Sequence, residues 1–486
     1  KWVLRLLPVY LVVLGMIFCN SLFPGFFNFE MIFGESFDGG IKGAGGVSPP
    51  MIGVIMIAVM LFSIFIGFPI SFTLIFLSFA FGAWGFGAKM VFYLQTLQFN
   101  NVMLEQTLAA VPLFVFMGIM MEQAGLMERL FTSVQLMLSR TRGALYLAVL
   151  FVSTIFAAAT GIVGASVTIL GIMAAKTMNK SGYDVRLASG TITAGGTLGI
   201  LIPPSVILVL YGILTETNIG DLFLAGFLPG ILTVIFFMAT ISIMTRIFPN
   251  MGPRGLKTTL RQKFGAFGDV WGTIVLFLLV IGGIYLGIFS PEEAAGIGAS
   301  GALVLALIGR QMTRQVFVNC LMETVRTSAM IFTILIGAIL LNNFLVLSAV
   351  PDAVGDWIGG LALSSTAILF IILLIYLVMG CALDSLAMIL LTIPIFFPVI
   401  QQLGMDPVWF GIIVVMVVEL GLITPPVGMN VFIIKGMAQE VALADIYKGV
   451  LPFVIAQVLL IALIVAFPDI ATWLPSTAQD MQSLFD

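Results

Sequence analysis

The stretch Gly199-Ile-Leu-Ile-Pro-Pro-Ser205 lies inside an apolar run, Leu187–Leu214, that contains no charged residue. A run of this length and composition predicts a helix that crosses a membrane. Its two consecutive prolines remove two backbone N–H donors and clash with the preceding turn, so the helix must break there. Because hydrocarbon offers no hydrogen bonds, the freed backbone groups need protein or a water-filled cavity to satisfy them.

A second copy of this motif, Gly421-Leu-Ile-Thr-Pro-Pro426, stands inside the apolar run 408–434. Gly199 and Gly421 lie 222 positions apart, as do the two Pro-Pro pairs, and Gly226 and Gly449 lie 223 apart. The chain is therefore an internal duplication. Broken helices at matching places in two halves of a membrane protein indicate the binding site of a transporter.

The composition defines the class of protein. Of 486 residues, 60% are hydrophobic and 9% are charged, and the mean hydropathy is +1.19. These values are typical of a multi-pass helical membrane protein. The absence of histidine excludes a Ser-His triad and zinc hydrolase chemistry, and no basic domain supports nucleic-acid binding. We therefore expect a protein that lies in a lipid bilayer and is not an enzyme.

The charges that flank one long apolar run predict a re-entrant hairpin. Lys and Arg collect in alternate connections, which the positive-inside rule makes cytoplasmic, and acidic residues dominate the others. The run Gly143–Ala175 carries no charge, yet both of its flanks are basic. It must therefore enter and leave by the same face, as a hairpin over 143–177 with its tip at 157–166.

A second hairpin is predicted from the opposite face. The run 358–403 is flanked by Asp356 and Asp406, and no Lys or Arg lies between Arg326 and Lys435. These acidic flanks are expected outside, so the hairpin enters from there with its tip near 380–385.

Together these features predict an all-α polytopic membrane protein that is an inverted-repeat secondary transporter with two re-entrant helical hairpins and two broken helices. Each repeat has five predicted crossings, and the odd number gives the repeats opposite orientations. The predicted segments are an extra N-terminal membrane helix and external loop (1–50), the first repeat (51–247, hairpin 143–177, broken helix 187–214), a cytoplasmic linker (248–270), the second repeat (271–467, hairpin 358–403, broken helix 408–437) and an external tail (468–486).

Each repeat contributes one hairpin tip and one broken helix to a candidate site. The upstream half-helix ends in unpaired carbonyls, which suit a cation, whereas the N–H groups of the downstream half-helix suit an anion. Hydroxyl groups add hard oxygen ligands. The candidate cation ligands are Thr160, Gly164, Ser166, Gly199, Ile202, Cys381, Asp384, Ser385, Gly421 and Thr424, and the candidate substrate-binding residues are Thr160, Ser166, Ser205, Ser385 and Asn430.

Two acids near the second motif have alternative roles. Asp384 stands at a hairpin tip, where an intramembrane acid is by default functional, but it could instead cap the returning helix. Glu419, two residues before Gly421, could be a cation or proton site or a hydrogen-bonded structural acid. Either motif by itself has a simpler explanation, in which the prolines only kink a helix and the glycines only allow close packing. The same spacing in both halves of the chain favours a transport site instead.

At these residues the chain resembles the large membrane subunit of tripartite ATP-independent periplasmic (TRAP) transporters, over about residues 51–475. The resembling stretches are Thr160-Gly-Ile-Val-Gly-Ala-Ser166, Arg186–Tyr211, Leu224-Ala-Gly-Phe-Leu-Pro-Gly230, Leu383-Asp-Ser385 and Glu419-Leu-Gly-Leu-Ile-Thr-Pro-Pro-Val-Gly-Met-Asn430.

The resemblance implies sodium-coupled import of organic acids across the bacterial inner membrane. It implies two further components, a soluble periplasmic substrate-binding protein and a small four-helix membrane subunit. It also implies an elevator-type movement of the domain that carries both hairpins. Sodium is the coupling ion and no other cofactor is implied. Ala165 departs from the Gly-Ser-Ser tip of many members, which puts one side-chain cation ligand in question. An extra helix in residues 1–50 is what members fused to the small subunit have.

Three rival readings remain open. A stand-alone sodium/dicarboxylate symporter shares hairpins and repeats, but it should carry Ser-Asn-Thr tips, which this sequence lacks. An ion channel needs a continuous pore, and rings of acids are not evident. A membrane enzyme needs a catalytic constellation, and none is present.

Overall fold

The computed structural model describes residues 48–139, 141–160, 163–253, 259–360 and 363–482, and every regular element in these ranges is helical. The predicted helix in residues 1–47 lies outside the described residues. The α-helices are α1 (Pro49–Ile66), α2 (Ile70–Phe86), α3 (Ala88–Leu104), α4 (Ala110–Gln123), α5 (Leu126–Met137), α6 (Ala144–Thr160), α7 (Val163–Lys180), α8 (Val185–Gly195), α9 (Val206–Thr215), α10 (Ile219–Ile247), α11 (Leu260–Tyr285), α12 (Pro291–Ile308), α13 (Arg314–Leu347), α14 (Val350–Gly360), α15 (Ser365–Gly380), α16 (Ser385–Gln402), α17 (Pro407–Ile423), α18 (Met429–Met437), α19 (Leu443–Ala466) and α20 (Asp469–Gln482).

Seven helical segments of the described chain are long and apolar enough to cross a membrane. A crossing needs about 20 apolar residues. The seven segments are Pro49–Ile66, Gln106–Gln123, Ile219–Ile247, Pro291–Ile308, Arg314–Leu347, Ser385–Gln402 and Leu443–Ala466. The broken helices are absent from this set because each of their halves is too short, which agrees with their division at the prolines.

The chain divides into two compact units. Of the described residues, unit 1 comprises 48–105, 329–360, 363–369 and 390–404, and within it α1, α2, α3 and α14 form the main contacts. Close backbone approach sets two of these contacts. A Cβ on Gly53 of α1 would lie 2.7 Å from Ser348 Oγ, and a Cβ on Gly337 of α13 would lie 2.8 Å from Leu74 Cβ. Small residues at such crossings let membrane helices pack closely.

Unit 2 comprises residues 106–328, 370–389 and 405–486, and it contains both proline motifs. Each broken helix packs on the last long helix of the other repeat: α8 contacts α19, and α17 contacts α10. At the first crossing, the backbone of Gly449 meets that of Gly190 and Arg186 so closely that a Cβ on either glycine would overlap main-chain atoms. The Arg186 Nε–Asp445 Oδ1 ion pair, 2.9 Å long, joins the same two helices.

The observed helix bounds differ from the predicted segments in places where polar residues continue a helix. The predicted linker 248–270 already contains the start of α11, which Thr259 and Gln262 open with a capping box. The predicted tail 468–486 contains α20, which packs on α10 and α17. Residues 254–258 and 483–486 of these segments lie outside the described residues.

The arms of the second hairpin begin later than predicted. Residues 358–360 end α14, and the arms α15 and α16 span 365–380 and 385–402. The arms of the first hairpin, α6 and α7, span 144–160 and 163–180. The helices α3, α5 and α14 were not predicted, because their polar and charged residues lower the hydropathy below that of a span.

We expect Gly449→Ala to lower the stability of unit 2, because its Cβ meets the backbone carbonyl of Arg186 and forces α8 and α19 apart. Overpacking of this kind costs about 1–3 kcal/mol. Thermal unfolding in detergent measures the loss. Gly436→Ala is the matched control, since its Cβ meets nothing within 4 Å. Equal unfolding temperatures for the two variants would show that the crossing can relax.

Candidate functional site

The first break is closed by its own serine. After α8, a 3₁₀ turn spans Leu198–Ile200, and the Pro203–Pro204 bond is cis. The Ser205 hydroxyl donates to Ile200 O, and Ser205 Oγ accepts from Leu208 N at 3.3 Å, which caps α9. In a regular helix Ile200 O would accept from the N–H of residue 204. Pro204 has no N–H, and the Ser205 hydroxyl takes its place as the donor.

The first break is also surrounded by helices of unit 2. Residues 187–212 are all buried. Glycines again make room for the contacts: a Cβ on Gly226 of α10 would lie 2.7 Å from Leu201 O, and one on Gly195 would lie 2.7 Å from Ser153 Oγ of α6. The returning arm α7 meets Gly196 through Val167. The first hairpin thus encloses the first break from two sides.

The base of the first hairpin is tied to the chain after α10 by tyrosines. Tyr146 Oη donates to Met251 O at 2.7 Å and lies 3.1 Å from Asp184 O, while Tyr183 Oη donates to Pro253 O at 3.2 Å. The two rings meet edge to face, with centroids 4.8 Å apart. Burial raises the pKa of Tyr183, which keeps its hydroxyl protonated as a donor.

The tip of the second hairpin is bonded directly to the second break. Gly428, with φ of 61°, donates its N–H to Cys381 O at 3.0 Å, and Cys381 Sγ donates to Pro425 O at 3.5 Å. Gly380 and Gly421 meet backbone to backbone, because a Cβ on Gly421 would lie 2.7 Å from Gly380 Cα. Cys381 is therefore placed at the predicted site, where both its carbonyl and its thiol contact the break.

The loop of the second break is braced from α19. Tyr447 Oη lies 2.9 Å from Pro426 O and 2.7 Å from Val427 O, and it can donate to either. Thr424 donates its N–H to Gly421 O at 3.1 Å, and its hydroxyl donates to Leu420 O. Unlike the first break, this loop is open: Pro425, Pro426 and Val427 are exposed.

A count of the carbonyls leaves one candidate at each break. The prolines cannot donate to the carbonyls four residues earlier, which are those of residues 199 and 200 in one repeat and 421 and 422 in the other. Ile200 O receives the Ser205 hydroxyl and Gly421 O receives the Thr424 N–H. Within the described residues, no donor reaches Gly199 O or Leu422 O. These two carbonyl oxygens are the ones that the described chain leaves without a hydrogen bond at the breaks.

Asp384 caps the returning arm of the second hairpin. Its Oδ1 accepts from Ala387 N at 2.8 Å, so the capping role is observed, and the side chain is half-buried. Ser385 follows it and is 7% exposed. The backbone N–H groups of Leu386 and Ala387 both bond to the Asp384 carboxylate.

The remaining candidates lie where the two repeats meet. Asn430 opens α18, is 1% exposed, and its Nδ2 has no partner among the described residues. The returning arm α7 of the first hairpin packs on α18, and a Cβ on Gly164 would lie 3.7 Å from Ile433 Cδ1. Ser166 is fully buried on the same arm. Ile202 is buried beside Gly230. The Thr160 side chain lies outside the described residues.

The helices and breaks define a polytopic membrane protein with the architecture of a transporter. The solved structure of the YdaH transporter of Alcanivorax borkumensis is similar to it in fold, with a TM-score of 0.61 and 15% identity over 89% of this chain and 99% of that chain. The family described as "Tripartite ATP-independent periplasmic transporter, DctM component" matches residues 54–470. The chain belongs to this family.

Curated relatives agree with this assignment. The C4-dicarboxylate TRAP transporter large permease protein DctM of Pseudomonas aeruginosa is 34% identical over 373 residues, which cover 76% of this chain and 86% of the relative. The sialic acid TRAP transporter large permease protein SiaM of Vibrio cholerae is 31% identical over 85% of this chain and 96% of its own length. These relatives are transporter permeases and not enzymes, as the sequence predicted for this chain.

We expect Ser205→Ala to destabilise the protein by about 1–3 kcal/mol, because it leaves the buried Ile200 carbonyl without a donor and removes the cap of α9. Chemical denaturation in detergent measures this loss. Ser189→Ala is the control, since the Ser189 hydroxyl bonds only to carbonyls of its own helix. Unchanged stability of Ser205→Ala would mean that water or a bound ion replaces the hydroxyl.

Proposed function

We propose that this chain is the large membrane subunit of a bacterial inner-membrane importer that takes up small organic acids with sodium as the coupling ion. A soluble periplasmic substrate-binding protein delivers the acid, and a small four-helix membrane subunit completes the complex. The observation that carries this proposal is the meeting of two proline breaks and two hairpin arms within one unit of a TRAP-family chain.

The two cation sites lie at the carbonyl ends of the upstream half-helices. At the first, Gly199 O provides the free carbonyl, with Ile202 beside it and Gly164, Ser166 and Thr160 on the first hairpin. At the second, the carbonyls around Gly421 and Thr424 face the Cys381–Ser385 tip. Backbone carbonyls of unwound helices coordinate the coupling ion in secondary transporters. Hard oxygen ligands suit sodium better than sulfur does, so the Cys381 carbonyl, and not its thiol, is the ligand.

The substrate site lies between these cations and takes a carboxylate. Asn430 Nδ2 is a buried donor that finds no partner in the part of the chain that the structure describes, and an acceptor-only group such as a carboxylate oxygen would satisfy it. Ser166 and Ser385 add hydroxyl donors on the two hairpins, with Thr160 near the first tip. Ser205 contributes through the break that it closes, because its own hydroxyl is already bonded. The named relatives transport a C4-dicarboxylate and sialic acid, which share the carboxylate group.

Both hairpins are re-entrant in this proposal, and the unit that contains both tips and both breaks carries the substrate in an elevator-type movement. The arms of the second hairpin are divided between the two units, at residues 369/370 in α15 and 389/390 in α16. In this proposal the linker 248–270 lies on the cytoplasmic side of the membrane, and the tail 468–486 lies on the external side.

Reconstitution tests the importer directly. With its small subunit in liposomes, the protein should accumulate a labelled C4-dicarboxylate or sialic acid only when a cognate binding protein and an inward sodium gradient are both present. Dissipating the gradient with a sodium ionophore is the control. Full-rate uptake without the binding protein would favour a stand-alone symporter, and uptake that follows a proton gradient alone would exclude sodium as the coupling ion.

Asp384→Asn separates a sodium ligand from a cap. Asparagine caps about as well as aspartate but deletes the charge, so loss of a charge-assisted contact should raise the half-saturating sodium concentration about tenfold or more. Raising sodium should then restore uptake, because coupling between ion and substrate is reciprocal.

Asp406→Asn is the matched control for this measurement. Asp406 caps α17 through Trp409 N at 2.7 Å, in the same way that Asp384 caps α16, but it stands at the far end of its helix from the break. Its sodium curve should superimpose on that of the parent. If the Asp384→Asn curve also superimposes, Asp384 is a cap only and the cation is held by carbonyls.

A further inference from the structure

A buried polar pair links the second broken helix to α19. Glu419 on α17 and Gln457 on α19 are each 1% exposed, and Gln457 Nε2 donates to Glu419 Oε2 at 3.1 Å. Among the described residues, neither Glu419 Oε1 nor Gln457 Oε1 has a hydrogen-bond partner. Polar groups are costly in such surroundings. A pair of this kind needs an explanation beyond filling space.

The first repeat manages without such a pair. The counterpart of Glu419 is Thr197, whose hydroxyl donates to Ala194 O in its own chain segment at 2.8 Å. The counterpart of Gln457 is Val234, which has no polar side-chain atom. The cross-helix hydrogen bond is therefore not a requirement of a proline break as such. The reason for the hydrogen bond must therefore be a structural feature that only the second repeat has.

That particular feature is the contact between Gly421 and Gly380. The first break is enclosed by buried helices, whereas the second meets its hairpin tip through two glycines whose backbones touch. Glycines have no side chains to interlock, so this contact does not set the rotation of α17. Each residue turns a helix by about 100° and advances it about 1.5 Å, so a small slip would redirect the carbonyls that follow. Glu419 lies half a turn before them.

We propose that Glu419 and Gln457 are positioning residues for the second cation site. Their hydrogen bond fixes the rotation and height of α17 against α19, and it thereby holds the Gly421 and Leu422 carbonyls opposite the Cys381 tip. Neither side chain touches the ion. The inference rests on the proposed function, because it assigns the ion to this break.

Sodium titration of uptake measures the effect. Glu419→Leu and Gln457→Leu should each raise the half-saturating sodium concentration about three- to tenfold, the range that corresponds to one buried hydrogen bond. The maximal rate at saturating sodium should change less. The double variant should be no worse than either single one, because both remove the same bond.

Two rescue variants distinguish positioning from ligation by the charge. Glu419→Gln keeps an oxygen acceptor for Gln457, so its sodium curve should stay within about twofold of the parent curve. The exchanged pair, Glu419→Gln with Gln457→Glu, should also restore sodium affinity. Thr233→Val on α10 is the control, since the buried Thr233 hydroxyl bonds only to its own helix. A sodium defect in Glu419→Gln equal to that in Glu419→Leu would overturn the proposal.

Thiol labelling gives a readout that does not depend on transport. Cys381 is 5% exposed, and its thiol lies 3.2 Å from Leu377 O in α15 and 3.5 Å from Pro425 O in the break, so we expect it to be protected while the hairpin tip contacts the break. The leucine variants should label faster at Cys381, as quantified by peptide mass spectrometry, and the two rescue variants should not. Unchanged labelling of Cys381 in the leucine variants would contradict this inference. Uptake by the parent protein that does not depend on sodium would contradict the proposed function, and the two failures can therefore be told apart.

Discussion

A backbone carbonyl without a donor is costly in hydrocarbon, and each Pro-Pro pair creates two of them in the middle of a broken helix. The protein satisfies one carbonyl at each break from its own chain and leaves one open. In the first repeat the Ser205 hydroxyl serves Ile200 O, and in the second the Thr424 N–H serves Gly421 O. The carbonyls for which the described residues supply no donor are Gly199 O in the first repeat and Leu422 O in the second. They are not at equivalent positions, because Gly199 corresponds to Gly421 and Leu422 corresponds to Ile200. The duplicated motif therefore does not produce two identical patterns of hydrogen bonding at the breaks.

The two breaks also differ in how closely other helices pack around them. The first is enclosed, with residues 187–212 buried under hairpin arms and α10, so its geometry follows from close packing. The second exposes Pro425 to Val427 and is held by single hydrogen bonds from Cys381, Gly428 and Tyr447. A site that binds and releases substrate needs a part with few packing constraints, since such parts open at low free energy. The second break is the less closely packed of the two.

The broken helices were predictable because proline chemistry is local. Two adjacent prolines in an apolar run must interrupt a helix: α8 ends at Gly195 and is followed by a 3₁₀ turn that ends at Ile200, and α17 ends at Ile423. The TRAP family was likewise predictable from contiguous motifs. The roles of Ser205 and Thr424 were not, because the sequence shows that a hydroxyl is near a break but not which carbonyl it bonds to. Tyr447 and Gln457 gave no signal at all, since each acts across helices from a position with no motif around it.

The two broken helices are connected through one helix, α19. The first broken helix packs on α19 through α8, and the second packs through α17 on both α10 and α19. The fit at Gly190 and Gly449 is close enough to exclude any side chain, so a shift of α19 is transmitted to α8. The same α19 carries Gln457 and Tyr447, which hold the second break. One helix thus contacts both broken helices.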